Sequence, residues 1–413
     1  MTEPRMPLHG LPAEQVLTAL EASKRNDVQW QQGRTFGLVF DGGPEVREVA
    51  DQAARLFLHD NALNPAAFPS LAGLQADLCQ WTASMLNGPE AAGFVTSGGT
   101  ESILMAVKAA RERARIERGI TEPEIVLAES AHAAFHKAAH LFGLKVRNTP
   151  VAADWTADPV AMAAHVGPNT ALVVASAPQY PQGVVDPVAE IAALAATVDA
   201  NCHVDACMGG FVLPFAEKEG WPSPLWDFRV PGVTSISADI HKLGYAPKGV
   251  SILLHANKEL RRYQVFMFDD WLGGRYGTPN LQGTRSGLPM AAAWAVMSFL
   301  GEEGYRRLVR STLETADQIR EAVHAIEGIA LLGNSTHHLL AITGDGLNVL
   351  SVGALLDDRG WHIDSQGPPD SLHLTVSAGN QAVVEEFLED LRWATNQAPD
   401  SPEATPTDYA SPE

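Results

Sequence analysis

The sequence predicts an α/β protein: a large domain on a mostly parallel seven-stranded sheet, followed by a small C-terminal α+β domain. Three observations carry that expectation. Short apolar, β-branched runs alternate with helical patterns through the middle of the chain, as in strands that cross over through helices. Polar residues able to do chemistry follow directly on several of those runs, at the strand ends where open α/β sheets bind ligands. Beyond about residue 290 the texture changes to long helices and short strands.

The candidate strands are GFVT (93–96), EIVLA (124–128), KVRNTPV (145–151), ALVVAS (171–176), CHVDA (202–206), VTSISA (233–238) and VSILLH (250–255). Between the first two, Ile103, Leu104, Ala106, Val107, Ala110 and Ala114 recur at helical spacing with arginines opposite, so ESILMAVKAARERARIERG (101–119) reads as an amphipathic helix. PVAEIAALAATVDA (187–200) is a second helix, leading directly into CHVDA. AAAWAVMSFLGEEGYRRLVRSTLETADQIREAVHAI reads as long helices, and ALLGN, LLAIT and SLHLTVS as the short strands of the small domain. The chain divides into an N-terminal segment 1–55, a large domain 56–290, a small domain 291–396 and a Pro-, Ser- and acid-rich tail 397–413 expected to be disordered.

The charge balance is 29 basic against 49 acidic residues, a net of −20, which repels a nucleic-acid backbone or an anionic membrane surface. No stretch approaches the roughly 18 uninterrupted apolar residues of an integral membrane segment, and MTEPRMPLHGLPAEQ lacks the regions of a signal peptide. Cys79, Cys202 and Cys207 lack metal-ligand spacing and form at most one disulfide, so they read as reduced, and no metal site is expected. These features point to a cytoplasmic protein with a small-molecule ligand.

TSGGTES (96–102) ends the first strand and opens the helix. Gly98 and Gly99 let backbone approach a ligand, free amides and the helix dipole favour an anion, and Ser97 and Thr100 add hydroxyl donors. Ser97 acting simply as a helix cap explains the same residues. No Gly-Lys-Ser/Thr follows, so this is not a nucleotide P-loop. Asp205, in HVDACMGGF, ends a buried apolar strand and requires a cationic or hydrogen-bonding partner there; a cap or a structural salt bridge would also satisfy it. In SADIHKLGYAPKG (237–249), VTSISA runs into Asp239, His241 and Lys242, and a lysine desolvated at a strand end is suited to condense with a carbonyl.

An anion cradle, an acid after one strand and a lysine after a later one make the set that binds pyridoxal 5′-phosphate: phosphate at the helix, Asp205 on the pyridinium nitrogen, Lys242 on the aldehyde. His132, just after the second strand in ESAHAAFHKAAHLFG, offers a flat face to stack on the ring, whereas His136 and His140 follow at ordinary helical spacing.

TSGGTESILMA, AESAHAAFHKAAHLFG, APQYPQGVVDPV, HVDACMGGF, GVTSISADIHKLGYAPKG and DWLGGRYGTPNLQGTRSG together resemble the sphingosine-1-phosphate lyases, in the group II decarboxylase branch of fold type I, aspartate aminotransferase-like, pyridoxal-phosphate enzymes. The likeness runs in order through most of residues 30–310 and is looser in the C-terminal domain. It implies a homodimer with shared active sites acting on a small amine. It makes Lys242 the cofactor lysine, Asp205 the pyridinium partner, His132 the stacking residue, and Ser97, Gly98, Gly99, Thr100 and His241 the phosphate contacts. Gly283 and Thr284 match the loop by which the partner subunit completes that phosphate site. The implied reaction is retro-aldol cleavage between carbons 2 and 3 of a 2-amino-3-hydroxy substrate, with Tyr180 and Tyr276 at positions that assist proton transfer and Lys248 facing the substrate's phosphate.

Two departures fall in that phosphate pocket: Phe40, in GLVF, stands where relatives carry a tyrosine, and Asn64, in NALNP, where they carry a histidine. Losing a hydroxyl donor and a possible cation weakens binding of a dianion, so the expected substrate need not be phosphorylated. An L-amino-acid decarboxylase uses the same cofactor residues, and a non-catalytic phosphate- or nucleotide-binding protein would use the SGGT turn alone; the order of the motifs favours the lyase.

Overall fold

The seven apolar runs all become strands of one sheet: β1 (Ala92–Thr96), β2 (Glu124–Ala128), β3 (Lys145–Thr149), β4 (Thr170–Ser176), β5 (Asn201–Asp205), β6 (Ser235–Ala238) and β7 (Ser251–His255). The computed structural model describes residue 6, residues 8–398 and residues 409–410. Strand order is β1-β7-β6-β5-β4-β2-β3. The five strands β3, β2, β4, β5 and β6 pair in parallel, and β7 is inserted antiparallel between β6 and β1. Every residue of β4 is buried, because helices cover both faces of a parallel sheet and leave no polar side. The apolar stripe of Gly99–Arg118 packs Ile103, Leu104, Val107 and Ala110 on Ile125, Leu127, Leu172 and Val174. β3 stops at Thr149, short of the expected 151, because Pro150 has no amide to donate to a ladder.

A hairpin follows, β8 (Phe266–Phe268) with β9 (Tyr276–Thr278), which the sequence did not suggest. The helical stretch Leu288–Ala325 is broken at Gly301, where φ is 55°. Met290 and Val296 before the break and Leu313 after it belong to the core of the large domain; Ala316, Ile319 and Val323 belong to a second core. That core lies under an antiparallel sheet of β10 (Ile329–Leu331), β11 (Leu339–Gly344), β12 (Asp364–Gln366) and β13 (Ser371–Thr375), in the order β10-β11-β13-β12. β10 ends before the expected ALLGN run does, since Gly333 turns the chain with φ 74°. β12 was not expected at all: Asp-Ser-Gln has no apolar pattern and forms a strand only by pairing with β13.

The N-terminal segment joins the small domain. Phe36 donates to His362 O at 3.0 Å and accepts from Thr375 N at 3.1 Å, and its side chain, 1 % exposed, packs on Trp361 and Phe387. Of the stretch 397–413, Gln397 closes the helix Val384–Gln397 and Tyr409 lies against the large domain, whereas residues 399–408 and 411–413 lie outside the described residues. Among the described residues no helix is long and apolar enough to cross a membrane. Truncating Phe36 to Ala empties the middle of the second core, and the expected loss in urea unfolding is about 3 kcal/mol; a change within measurement error would show that the segment is not anchored there.

Candidate active site

Each element of the site comes off a strand end. After β1, Ser97 and Gly98 turn the chain into the helix Gly99–Arg118. No side chain caps this helix; the Ser97 amide donates to Glu101 Oε2 at 2.6 Å, so a capping role does not account for Ser97. The glycines are dictated by packing: a Cβ on Gly99 would sit 2.7 Å from Asp239 Oδ2, and one on Gly98 3.0 Å from His241 Cε1. The first-turn amides have no preceding carbonyls to bond, and Ser97 and Thr100 are exposed beside them. That is an anion cradle.

After β6 come Asp239, His241 and Lys242. Lys242 Nζ lies 3.0 Å from Asp239 Oδ2, and Asp239 is 1 % exposed. Burial, the largest single effect, pulls the Lys242 amine down as the sequence suggested, but Asp239 and the other acidic groups around it together outweigh burial and raise the amine above the ordinary lysine value. Burial likewise pushes the Asp239 carboxyl up, and the neighbouring Lys242 and His241 reverse this and hold it below the usual carboxylate range. Before any ligand arrives the lysine is therefore an ammonium. His241 is pushed down to about 4 by burial, against the pull of Asp239. Its Nδ1 accepts from the amides of Gly249 and Val250 at 3.3 and 3.2 Å, so the neutral ring carries its proton on Nε2, a donor for an anion.

Asp205 ends β5 opposite Ser176 and Ser237 on its two neighbours. Its carboxylate accepts from Cys207 N at 3.0 Å and Ser237 Oγ at 3.2 Å, so among the described residues its donors are neutral, which leaves a buried acid suited to a protonated ring nitrogen. His132 follows β2, with Nδ1 accepting from Ala134 N at 3.1 Å. Burial lowers its pKa and Asp205 opposes the shift; a neutral flat ring results. The charges of Asp205, Lys242 and Asp239 all act on it.

Tyr180 follows β4. Its ring stacks on His373 of β13 at 3.9 Å, and its hydroxyl donates to Asp364 Oδ2 at 3.1 Å. Lys248 is exposed along its stem, but its Nζ turns inward to His241 O at 2.9 Å and lies 4.8 Å from the centre of the Phe40 ring. Burial of that end, helped by the Lys242 charge, pushes the amine down to about 8. Phe40, His241 and Lys248 share the wall of a 580 Å³ cavity.

Four expected site residues lie apart from Lys242 and near one another. Tyr276 in the hairpin contacts Trp271 and Phe266, and its hydroxyl is 3.2 Å from where a Cβ on Gly283 would be. Thr284 comes next, Ser286 bridges to Asn61, and Ala62 N donates to Arg285 O. Asn64 follows on that strip, exposed, its Oδ1 accepting from Ala66 N at 3.0 Å. The expected residues therefore fall into two clusters on one chain.

The sequence reading gave no role to Asp239, Asp364, Glu101 or Tyr409. Asp239 stood in the lysine motif, three residues before Lys242, and its spacing was a usable signal. Asp364 has none, being 184 positions from Tyr180. Tyr409 Oη lies 3.3 Å from His132 Nε2, in a stretch whose composition reads as solvent-loving.

An acid for a ring nitrogen, a lysine and an anion cradle on the same edge of a parallel sheet are the equipment of fold type I pyridoxal-phosphate enzymes, and the neutral donors on Asp205 show that these residues fit that cofactor. Residues 7–341 match the family described as "Pyridoxal-dependent decarboxylase conserved domain". Sphingosine-1-phosphate lyase 1 of Rattus norvegicus is 41 % identical over 406 residues, covering 97 % of this chain and 71 % of that protein. Sphingosine-1-phosphate lyase of Oryza sativa is 41 % identical over 396 residues, 94 % of this chain and 73 % of that one. The solved sphingosine-1-phosphate lyase of Burkholderia pseudomallei superposes with a TM-score of 0.92 at 39 % identity, covering 96 % of this chain and 93 % of that one. The chain belongs to the pyridoxal-dependent decarboxylase family, in its sphingosine-1-phosphate lyase branch, and is a pyridoxal-phosphate-dependent lyase.

Replacing Asp239 with Asn leaves Lys242 without its counter-charge, so the amine's pKa falls. Uptake of pyridoxal phosphate, followed by absorbance, is then expected to begin at lower pH than in the wild type. The folded protein should lose about 3 kcal/mol in urea, since a buried amine has lost its partner. An unchanged pH midpoint would refute the assignment.

Proposed function

We propose that this lyase cleaves the bond between carbons 2 and 3 of a long-chain 2-amino-3-hydroxy base, as a cytoplasmic homodimer with shared sites. The observation that carries the reading is that His132, Tyr180, Asp205 and Lys242 all leave the same edge of the sheet, with the Tyr409 ring in contact with both His132 and Tyr180. When bound, the cofactor supplies an electron sink for the pair left at carbon 2. Asp205 holds a proton on the ring nitrogen. His132, neutral, presents a flat face without needing a counter-ion. Lys242 would hold the cofactor through its amine and would return a proton to carbon 2.

The relatives' names specify a phosphorylated substrate; here the head-group wall argues for a looser grip on phosphate. Lys248 faces a phenyl ring where a phenol would donate, and with a pKa of about 8 it is partly discharged at neutral to mildly alkaline pH. Binding of a phosphorylated base should therefore weaken as pH rises through about 8, because the proton that Lys248 loses is the cationic partner of the phosphate. KM for the unphosphorylated base should not follow. A Phe40→Tyr, Asn64→His double variant is expected to shift preference toward the phosphorylated member by roughly tenfold, the worth of about 1.4 kcal/mol. No aldehyde from either base, or carbon dioxide release from an L-amino acid instead, would overturn the reading.

The dimer is supported by the second cluster. Tyr276, Gly283, Thr284 and Asn64 lie on a face where Phe266, Phe268, Trp271, Leu272 and Leu281 expose large apolar surfaces, which a partner would cover. The cytoplasmic placement is supported by Cys79, Cys202 and Cys207, all unpaired. Lys242→Ala and Gly283→Asp variants, each inactive alone, are expected to regain activity when unfolded together and refolded as a mixture; no complementation would show that each chain is self-sufficient.

A further inference from the structure

Tyr180 is held at both ends by the small domain: its ring lies on His373 and its hydroxyl proton points at Asp364. A phenol donating to a carboxylate turns its oxygen lone pairs the other way. The Tyr409 ring is edge-on to Tyr180 at 5.3 Å and its hydroxyl lies 3.3 Å from His132 Nε2, which ties Tyr180 to the neighbourhood of the cofactor residues. Burial and the Asp364 charge both raise the Tyr180 pKa, so the phenol on its own is a poor base. Asp364 is half-buried, lies 3.8 Å from His362 Nε2, and its Oδ2 would be 3.4 Å from a Cβ on Gly37, which begins the segment bearing Phe40. The carboxylate thus sits between the substrate wall and the one hydroxyl that the small domain orients.

We propose that Asp364 is the terminal acceptor of the substrate's 3-hydroxyl proton, acting through Tyr180. The proton moves from the substrate oxygen to Tyr180 Oη as the phenol's own proton moves to Asp364 Oδ2. The pair freed on the substrate oxygen forms the aldehyde carbonyl, the bond between carbons 2 and 3 breaks, and its electrons stay on carbon 2, which Lys242 later protonates. Tyr180 ends neutral, and Asp364 returns its proton to solvent along the His362 side. Asp364 is in this sense a positioning residue, because it works through the phenol. The inference rests on the retro-aldol reading.

The test compares two reactions of the holoenzyme. Aldehyde release needs the base on oxygen; exchange of the carbon-bound hydrogens beside the nitrogen of 2-aminoethanol, or of its phosphate, with deuterated solvent uses Asp205 and Lys242 but has no 3-hydroxyl to deprotonate. Asp364→Asn keeps an acceptor for Tyr180 and removes the proton sink. Its kcat for aldehyde release is expected to fall about 100-fold with deuterium exchange unchanged. Asp364→Glu should recover part of the loss, and the Tyr180→Phe, Asp364→Asn pair should be no slower than Tyr180→Phe alone. Cleavage undiminished in Asp364→Asn, exchange falling in step with cleavage, or losses that multiply in the double variant would each overturn the inference. A wild-type enzyme that releases no aldehyde would sink the retro-aldol reading and this inference with it.

Discussion

In the large sheet a common strand direction gathers the chemistry. β1, β2, β4, β5 and β6 all deliver their C-terminal ends to one edge, and those ends carry Ser97 to Thr100, His132, Tyr180, Asp205 and Lys242 respectively. β7 alone runs the other way. Its reversal keeps the connection 239–250 at the active edge, because an antiparallel neighbour needs no crossover to the opposite side of the sheet. Asp239, His241, Lys242 and Lys248 can therefore sit on one short loop, closed at its far end by His241 N donating to Val250 O.

Burial sets the charge state of what that edge holds. The two groups with a close ionic partner, Asp239 and Lys242, stay charged against the pull of the interior. Burial drives the imidazoles neutral: His132, His241 in spite of the Asp239 carboxylate 3.6 Å from its Nε2, and His203, His338 and His373 further in. Lys248 lies between the two cases, with its amine on a carbonyl and an aromatic face rather than a carboxylate. The same low dielectric thus prepares a charged lysine, a neutral imidazole donor and a weakened cation within a dozen residues of chain.

Much of this was readable from residue order. Continuous apolar runs marked the sheet because a strand covered on both faces has no polar side, and the stripe of Ile103, Leu104 and Val107 marked its helix. Lys242, Asp205 and the Gly98–Gly99 turn stood out because each breaks the rule of its surroundings: a charge or a bare backbone where an apolar run ends. The rest depends on contacts between distant parts of the chain. β7's direction, the polar strand β12, the Glu101 carboxylate that joins Ser97 N to Leu281 N, and the Asp364 bond to Tyr180 have no local periodicity to announce them. The Lys242 charge state failed for another reason: Asp239 stood three residues away in the sequence, but that it lies 3.0 Å from the amine, with further acidic groups around it, shows only in the fold.

The small domain fixes the path of the chain that leads to Phe40. Phe36 is locked between Trp361 and Phe387, and the Trp361 indole donates to Asp390 at 2.8 Å, so the backbone entering residues 37–40 is fixed by an aromatic core rather than by the cofactor domain. One residue past Trp361, His362 pairs with Thr35; two further on, Asp364 reaches Tyr180. Displacement of that core would move Phe36, Gly37 and Asp364 together. Phe36 and the strand beside Asp364 thus belong to the second core, whereas Phe40, four residues past Phe36, already packs against the first.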